Sequence, residues 1–253
     1  MYSKSELKKI IVLDIETTSN YINYNEFSEN RPGEIKFWQR KTKSMKNEQS
    51  DLVDLSDSDL YESRAALYPE FGRIIVISIG QILFDEDDNP SFQKRSFYGS
   101  DEKKVISEFI NFMSAVFNKI PDIKILGHNL KGFDIPYILK KCLIFNIRIP
   151  QRLQLHKIKP WENCLLDTME IWKSGNWGGS ISLEHLTYLL EIENPKEAAV
   201  YGEDYGGIHR AFWQGKLEEI KDYCEDDIKA TANILLKFSN FNAIKEKTKI
   251  NNT

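Results

Sequence analysis

"IIVLDIETTSN" (residues 10–20) decides how the rest of the chain is read. Four aliphatic residues run directly into two acids, Asp14 and Glu16, one residue apart. The apolar run reads as a buried strand over about 9–16. Side chains alternate along a strand, so Asp14 and Glu16 point to the same side. They also stand where the apolar run ends, and ligand sites in open α/β sheets lie at strand ends. Alone, the triplet reads better as two acids facing water; partners further along must decide.

The chain has 253 residues, 41% hydrophobic and 28% charged, enough for a core of one large α/β unit. With 34 basic and 38 acidic side chains the net charge is −4. That excludes a global basic field, so any nucleic-acid contact must be local or assisted by bound cations. Cys142, Cys164 and Cys224 are widely spaced and odd in number. They suit neither a disulfide framework nor a zinc pattern and read as small buried side chains. No apolar run has the length of a signal peptide or a membrane span, so a cytoplasmic location is expected.

After the first strand, residues 19–68 form a polar insertion, basic first and acidic afterwards. It reads as a solvated decoration with helical pieces or partial disorder, in preference to a lid. "RIIVISIG" (73–80) reads as a central strand and 91–99 as its antiparallel return. A helix over 101–120 turns Val105, Phe109, Phe112, Met113 and Val116 inward. A short strand covers 124–129. A helix over 135–147 buries Ile135, Ile138, Leu139, Cys142 and Leu143. Another strand lies in 163–169, a glycine-rich loop in 174–182, a helix in 183–192 and loop in 201–215. A long helix spans 216–238, before a polar tail at 239–253. The pattern implies one mixed sheet flanked by helices, within a single domain over 1–253.

Partners for Asp14 and Glu16 appear twice. Asp134, in "GHNLKGFDIP" (127–136), follows a short strand and opens a helix, where an acid is a favoured N-cap. The same helix N-terminus favours a phosphate, and Asn129 stands near enough to hydrogen-bond there. In "YCEDD" (223–227), Tyr223 and Asp227 are four apart on a helix and share a face bordering the buried stripe. Glu225 and Asp226 point toward water. Packed together without cations, Asp14, Glu16, Asp134 and Asp227 repel one another and take up protons. Two divalent ions would neutralise them, and hard oxygen donors suit Mg2+ or Mn2+ rather than zinc.

The order Asp-Ile-Glu, Asn-x-x-x-Phe-Asp, Tyr-x-x-x-Asp resembles the three exonuclease motifs of the DEDD superfamily, tyrosine subtype. "YPEFGRIIVISIG" and the "YCEDD" helix are most similar to stand-alone relatives of the exonuclease domain of family B DNA polymerases. The resemblance implies a ribonuclease H-like α/β fold and 3′–5′ hydrolysis of nucleic acid with two metal ions. It makes Asp14, Glu16, Asp134 and Asp227 the metal ligands. It gives Tyr223 the task of orienting the attacking water, since a phenol with pKa about 10 is a poor base at neutral pH. The implied substrate is a single-stranded DNA 3′ end, released as nucleoside 5′-monophosphates. An exoribonuclease with the same site and a silent nucleic-acid-binding module are the alternatives. Asn129, Phe133 and Thr17 are the candidate substrate contacts, Phe133 by stacking on a base.

The remaining polar residues read as structural. Asp167 reads as a supporting acid near the site, and His128, His185 and His209 as hydrogen-bonded scaffold. Trp177 and Trp213 read as packing residues before stacking surfaces. Lys131 is placed to meet a phosphate, though a solvated lysine is the simpler reading.

Overall fold

Strand β1 (Ile10–Ser19) is the axis of the structure, a computed structural model that describes residues 1–159, 162–176, 178–193 and 206–244. The strand runs past the expected end because Thr17, Thr18 and Ser19 continue the pairing with a second strand. The others are β2 (Gly72–Phe84), β3 (Pro90–Tyr98), β4 (Lys124–Gly127) and β5 (Leu165–Asp167). Their order across the sheet is β3-β2-β1-β4-β5. β2 runs antiparallel to both neighbours, while β4 and β5 run parallel to β1. This is the mixed, helix-flanked sheet that the sequence implies.

The helices are α1 (Lys4–Leu7), α2 (Tyr24–Asn30), α3 (Ile35–Glu48), α4 (Asp57–Arg64), α5 (Glu102–Lys119) and α6 (Asp134–Ile144). They continue with α7 (Thr168–Lys173), α8 (Leu183–Leu189), α9 (Gly207–Trp213) and α10 (Leu217–Phe238). Alternation along β1 sorts the core in two. Ile11, Leu13 and Ile15 pack with α5 and α6 on one face, and Ile10 and Val12 with α10 on the other.

A bulge interrupts this alternation beside the acids. Glu16 pairs with Val76 but Thr17 pairs with Ile74, leaving Ile75 extra on β2. Ile75 and Val76 therefore both join the α9 and α10 side, and Ile74 and Ile77 both join the other.

Several expectations are corrected. The 19–68 insertion is not a solvated decoration. It folds as α2, α3 and α4 around Phe27, Trp38, Met45, Leu60, Tyr61 and Phe71. Tyr61 stacks on Phe27 at 4.8 Å and meets Trp38 edge-on. The charges that dominate its composition lie on its outer faces, so they conceal the aromatic spacing beneath.

In α6, Leu143 is 72% exposed, whereas Lys141 is buried. Lys141 is accommodated by an ion pair with Glu102 at 3.2 Å and a hydrogen bond to the Gly72 carbonyl. Within 201–215 the described part is helical, α9, because His209 and Ala211 are buried there. The tail starts docked: Ile244 is buried and its amide donates to the Asn233 side chain at 2.8 Å.

Candidate active site

On its β1 side, β4 pairs only with Ile10, Ile11 and Val12. Beyond Val12 no strand among the described residues lies beside this second edge of β1. Gly127, the last residue of β4, permits this departure, since a Cβ there would lie 2.9 Å from the Leu13 carbonyl. The chain then turns through Asn129, at φ 60°, and enters α6. Asp134 fills the opened edge: its Oδ1 accepts the Ile15 amide at 3.1 Å. It is therefore the first helical residue and not the N-cap expected of it. Phe133 is the N-cap and supplies no side-chain bond. The orphaned strand amide outcompetes the helix end for the carboxylate, because it has no other partner at this depth.

Asp167 holds the connecting turn. Its carboxylate accepts the amides of Asn129, Lys131 and Met169 at 2.9, 3.1 and 3.0 Å. This is the supporting role read for it in the sequence.

Asp14 and Glu16 project toward α10, half-buried, where the sheet face meets the helix. One carboxylate oxygen of each lies within 4.8 Å of the Cys224 sulfur. The Cys224 thiol is 3.3 Å from Asp14 Oδ2, in position to donate to it. Burial, followed by the charges of Asp14 and Glu16, holds this thiol well above the usual cysteine range. It therefore acts as a proton donor to Asp14. Cys224 is buried, as the sequence implies, and its contact with Asp14 arises only from the docking of α10 on β1.

One residue earlier, Tyr223 is 8% exposed and donates its phenol to Asp227. Burial raises its pKa, and the charges of Asp227, Glu16 and Asp14 raise it further. Asp134 is likewise held well above the usual carboxylate range, by burial first and then by Asp167 and Asp227. Asp134 thus senses the charge of Asp227, and Tyr223 those of Asp227, Glu16 and Asp14, so these side chains face one region, in which Asp14 and Glu16 have oxygens within 4.8 Å of each other and of the Cys224 sulfur. Glu225 departs from expectation. It turns inward to accept from Ser96 at 2.7 Å and pairs with Lys94 at 2.6 Å.

The candidate substrate contacts fare differently. Thr17 donates to the Ala66 carbonyl at 2.9 Å, tying the helical insertion to β1. The Asn129 side chain folds over Gly132, where a Cβ would lie 2.4 Å from its Oδ1. Phe133 is half-buried at the core margin, 5.5 Å from the Tyr137 ring. Lys131 pairs with Glu170. The histidines are scaffold: His128 bonds Thr168 and the Ile181 carbonyl, and His209 bonds Thr18, Ser19 and the Ile22 carbonyl. His185 is exposed on α8. Trp213 packs against His209 and Phe212, while Trp177 lies outside the described residues.

The donor set fits a hard divalent cation. Asp14 and Glu16 hold oxygens in reach of one another, and the charge of Asp227 adds to burial in favouring a proton on Asp134 where no cation shares the charge. The Cys224 sulfur adds one softer donor at the margin of this oxygen-rich set.

Among the described residues no helix is long and apolar enough to cross a membrane. No curated protein matches the chain. Among solved structures it is similar to Exonuclease I of E. coli in complex with a 5cy-dA13 oligonucleotide. That similarity has 14% identity and a TM-score of 0.38, over 85% of this chain and 42% of that one. The chain thus spans less than half the length of that protein. Residues 67–253 match a family described as predicted 3′–5′ exonucleases related to the exonuclease domain of PolB. The match includes Asp134, Tyr223 and Asp227 and starts after Asp14 and Glu16. It takes in most of the sequence, and the chain belongs to this family of predicted PolB-related 3′–5′ exonucleases.

Proposed function

We propose that the chain is a metal-dependent exonuclease that shortens single-stranded DNA from its 3′ end and releases nucleoside 5′-monophosphates. One observation carries this reading: Asp14 and Glu16 hold oxygens within reach of each other on β1, Asp134 is bound to the Ile15 amide between them, and Tyr223 with Asp227 faces the same acids from α10. These four carboxylates would hold two ions of Mg2+ or Mn2+. Such ions, when bound, neutralise phosphate charge and lower the pKa of water.

The protein's own contribution is placement. The Ile15 amide fixes Asp134, and the Cys224 thiol steadies Asp14. Tyr223 keeps its proton, which suits it to orient water and not to deprotonate it. Asp167 sets the turn that delivers Asp134. DNA is favoured over RNA because the family is related to a DNA polymerase domain.

The test incubates the purified chain with end-labelled single-stranded DNA or RNA in Mg2+, Mn2+ or EDTA. Mononucleotide release from DNA should require the cation and vanish in Asp14→Ala. No metal-dependent release from either polymer would sink the enzyme reading. Undiminished activity in Asp14→Ala would sink the site.

A further inference from the structure

The chain is acidic overall, yet α3 carries Lys36, Arg40, Lys41, Lys43 and Lys46 against the single acid Glu48. Its inner positions, Trp38, Thr42 and Met45, are buried in the insertion's own core. Positions 37, 40, 41 and 44 recur at helical spacing on another face. There they line an open groove of about 730 Å3 whose far wall includes Phe71 and Ile144. The groove's acids are Glu34, which Arg31 pairs at 3.5 Å, and Glu70.

Phe37 is the unusual residue of this face. It is 49% exposed, with Lys36 Nζ 5.0 Å and the Arg40 guanidinium 5.9 Å from its ring centre. Lys41 lies 4.0 Å over the Tyr68 ring. A face that served only solubility has no need of an exposed ring flanked by cations, as Phe37 is. Aromatic planes alternating with cations are how sequence-tolerant single-strand grooves are built, with rings for bases and cations for phosphates.

The face is also joined to the carboxylates. Tyr68 stands two residues from Ala66, whose carbonyl receives the Thr17 hydroxyl, and Thr17 follows Glu16. α3 lies outside residues 67–253, so nothing in the family match assigns it a role.

We propose that the α3 face is a second binding site for single-stranded nucleic acid. It holds the strand upstream of the 3′ nucleotide, with phosphates on Lys36, Arg40 and Lys41 and a base on Phe37. The identity of this ligand rests on the exonuclease reading above.

The experiment measures binding of a labelled long oligothymidylate in EDTA, where no hydrolysis occurs, across a range of salt. Lys36→Gln/Arg40→Gln/Lys41→Gln should weaken binding about tenfold or more and flatten the logarithmic salt slope by about 2, for three phosphates. Phe37→Ala should weaken binding with little change in that slope. Hydrolysis of a dinucleotide, which has no strand upstream of its terminal phosphodiester, should be unaffected by either variant. Equal affinity and equal salt slope in wild type and the triple variant would overturn the proposal. So would binding of polyglutamate in place of the oligonucleotide. Wild type that binds the oligonucleotide through α3 but never hydrolyses it would sink the exonuclease reading alone. Thermal melts show whether each variant keeps its fold.

Discussion

The Asp134 carboxylate accepts the Ile15 amide at 3.1 Å, joining the first turn of α6 to the strand that carries Asp14 and Glu16. One side chain thereby does two jobs. It satisfies a backbone donor left open where β4 ends, and it adds a charge to the cluster. The two jobs separate by mutation. Asp134→Asn keeps an acceptor for Ile15 and should fold with stability near wild type, while exonuclease activity falls more than about a hundredfold. Asp134→Ala leaves the buried amide unsatisfied and should cost a further 1–3 kcal/mol or so in urea unfolding. Equal stability of the two variants would show that the hydrogen bond is dispensable.

The Glu102–Lys141 pair makes an asymmetric prediction. Both groups are buried, 3.2 Å apart, and Glu102 also accepts the Ile74 amide at 2.7 Å. Burial raises the Glu102 carboxyl and lowers the Lys141 ammonium, each opposed by its partner. Glu102→Gln preserves the bond to Ile74 but strands a buried cation, at about 3–5 kcal/mol. Glu102→Gln/Lys141→Met removes both charges and should recover most of that loss. Urea melts of the two single variants and the double variant decide it; a double variant as unstable as the summed singles refutes it.

The sequence was legible where chemistry and periodicity coincide. Asp14 with Glu16 shows a strand face, Tyr223 with Asp227 a helix face, and each reading needs only local spacing. A mixed sheet flanked by helices followed from the alternation of strands and helices, whereas the strand order depends on pairings between distant segments. What stayed hidden depended on distant packing. Lys141 looks like a solvated residue until Glu102, 39 positions earlier, is found against it. Cys224 looks like filler until α10 settles on β1 and brings its sulfur to Asp14. Residues 19–68 looked like loose decoration because surface charge swamped a sparse aromatic core. Residues 201–215 read as loop from composition, although from Gly207 they form α9 and bury His209 against β1.

That histidine gives a pH dependence. His209 Nε2 donates to the Ile22 carbonyl at 2.9 Å, while Nδ1 faces the hydroxyls of Thr18 and Ser19. Burial lowers its pKa from the ordinary 6.5, outweighing the carbonyl contact that raises it. A depressed pKa means the unfolded state takes up the proton first. The neutral ring's contribution is therefore full above about pH 6.5 and is lost as pH falls through the lowered folded value. The melting-temperature advantage of wild type over His209→Gln should shrink steadily from pH 7 toward pH 5. A difference independent of pH over that range would refute the assignment.

The carboxylate cluster predicts an inversion of stability. Without divalent cations, Asp227 raises the pKa of Asp134 and crowds Tyr223, so its charge opposes the folded state. Asp227→Asn removes that charge and retains an acceptor for the Tyr223 phenol. In EDTA this variant should melt above wild type. With Mn2+ or Mg2+ the order should reverse, because only wild type gains binding energy, about 2.7 kcal/mol at a cation concentration a hundredfold above Kd. Thermal melts across a cation titration read both halves of the prediction. A wild-type melting temperature indifferent to millimolar Mn2+ and Mg2+ removes the metal site. An Asp227→Asn variant less stable than wild type in EDTA would instead show that Asp227 serves chiefly to anchor Tyr223. The crossing of the two titration curves is thus the signature of acids held together for a cation, as distinct from acids held together by hydrogen bonds alone.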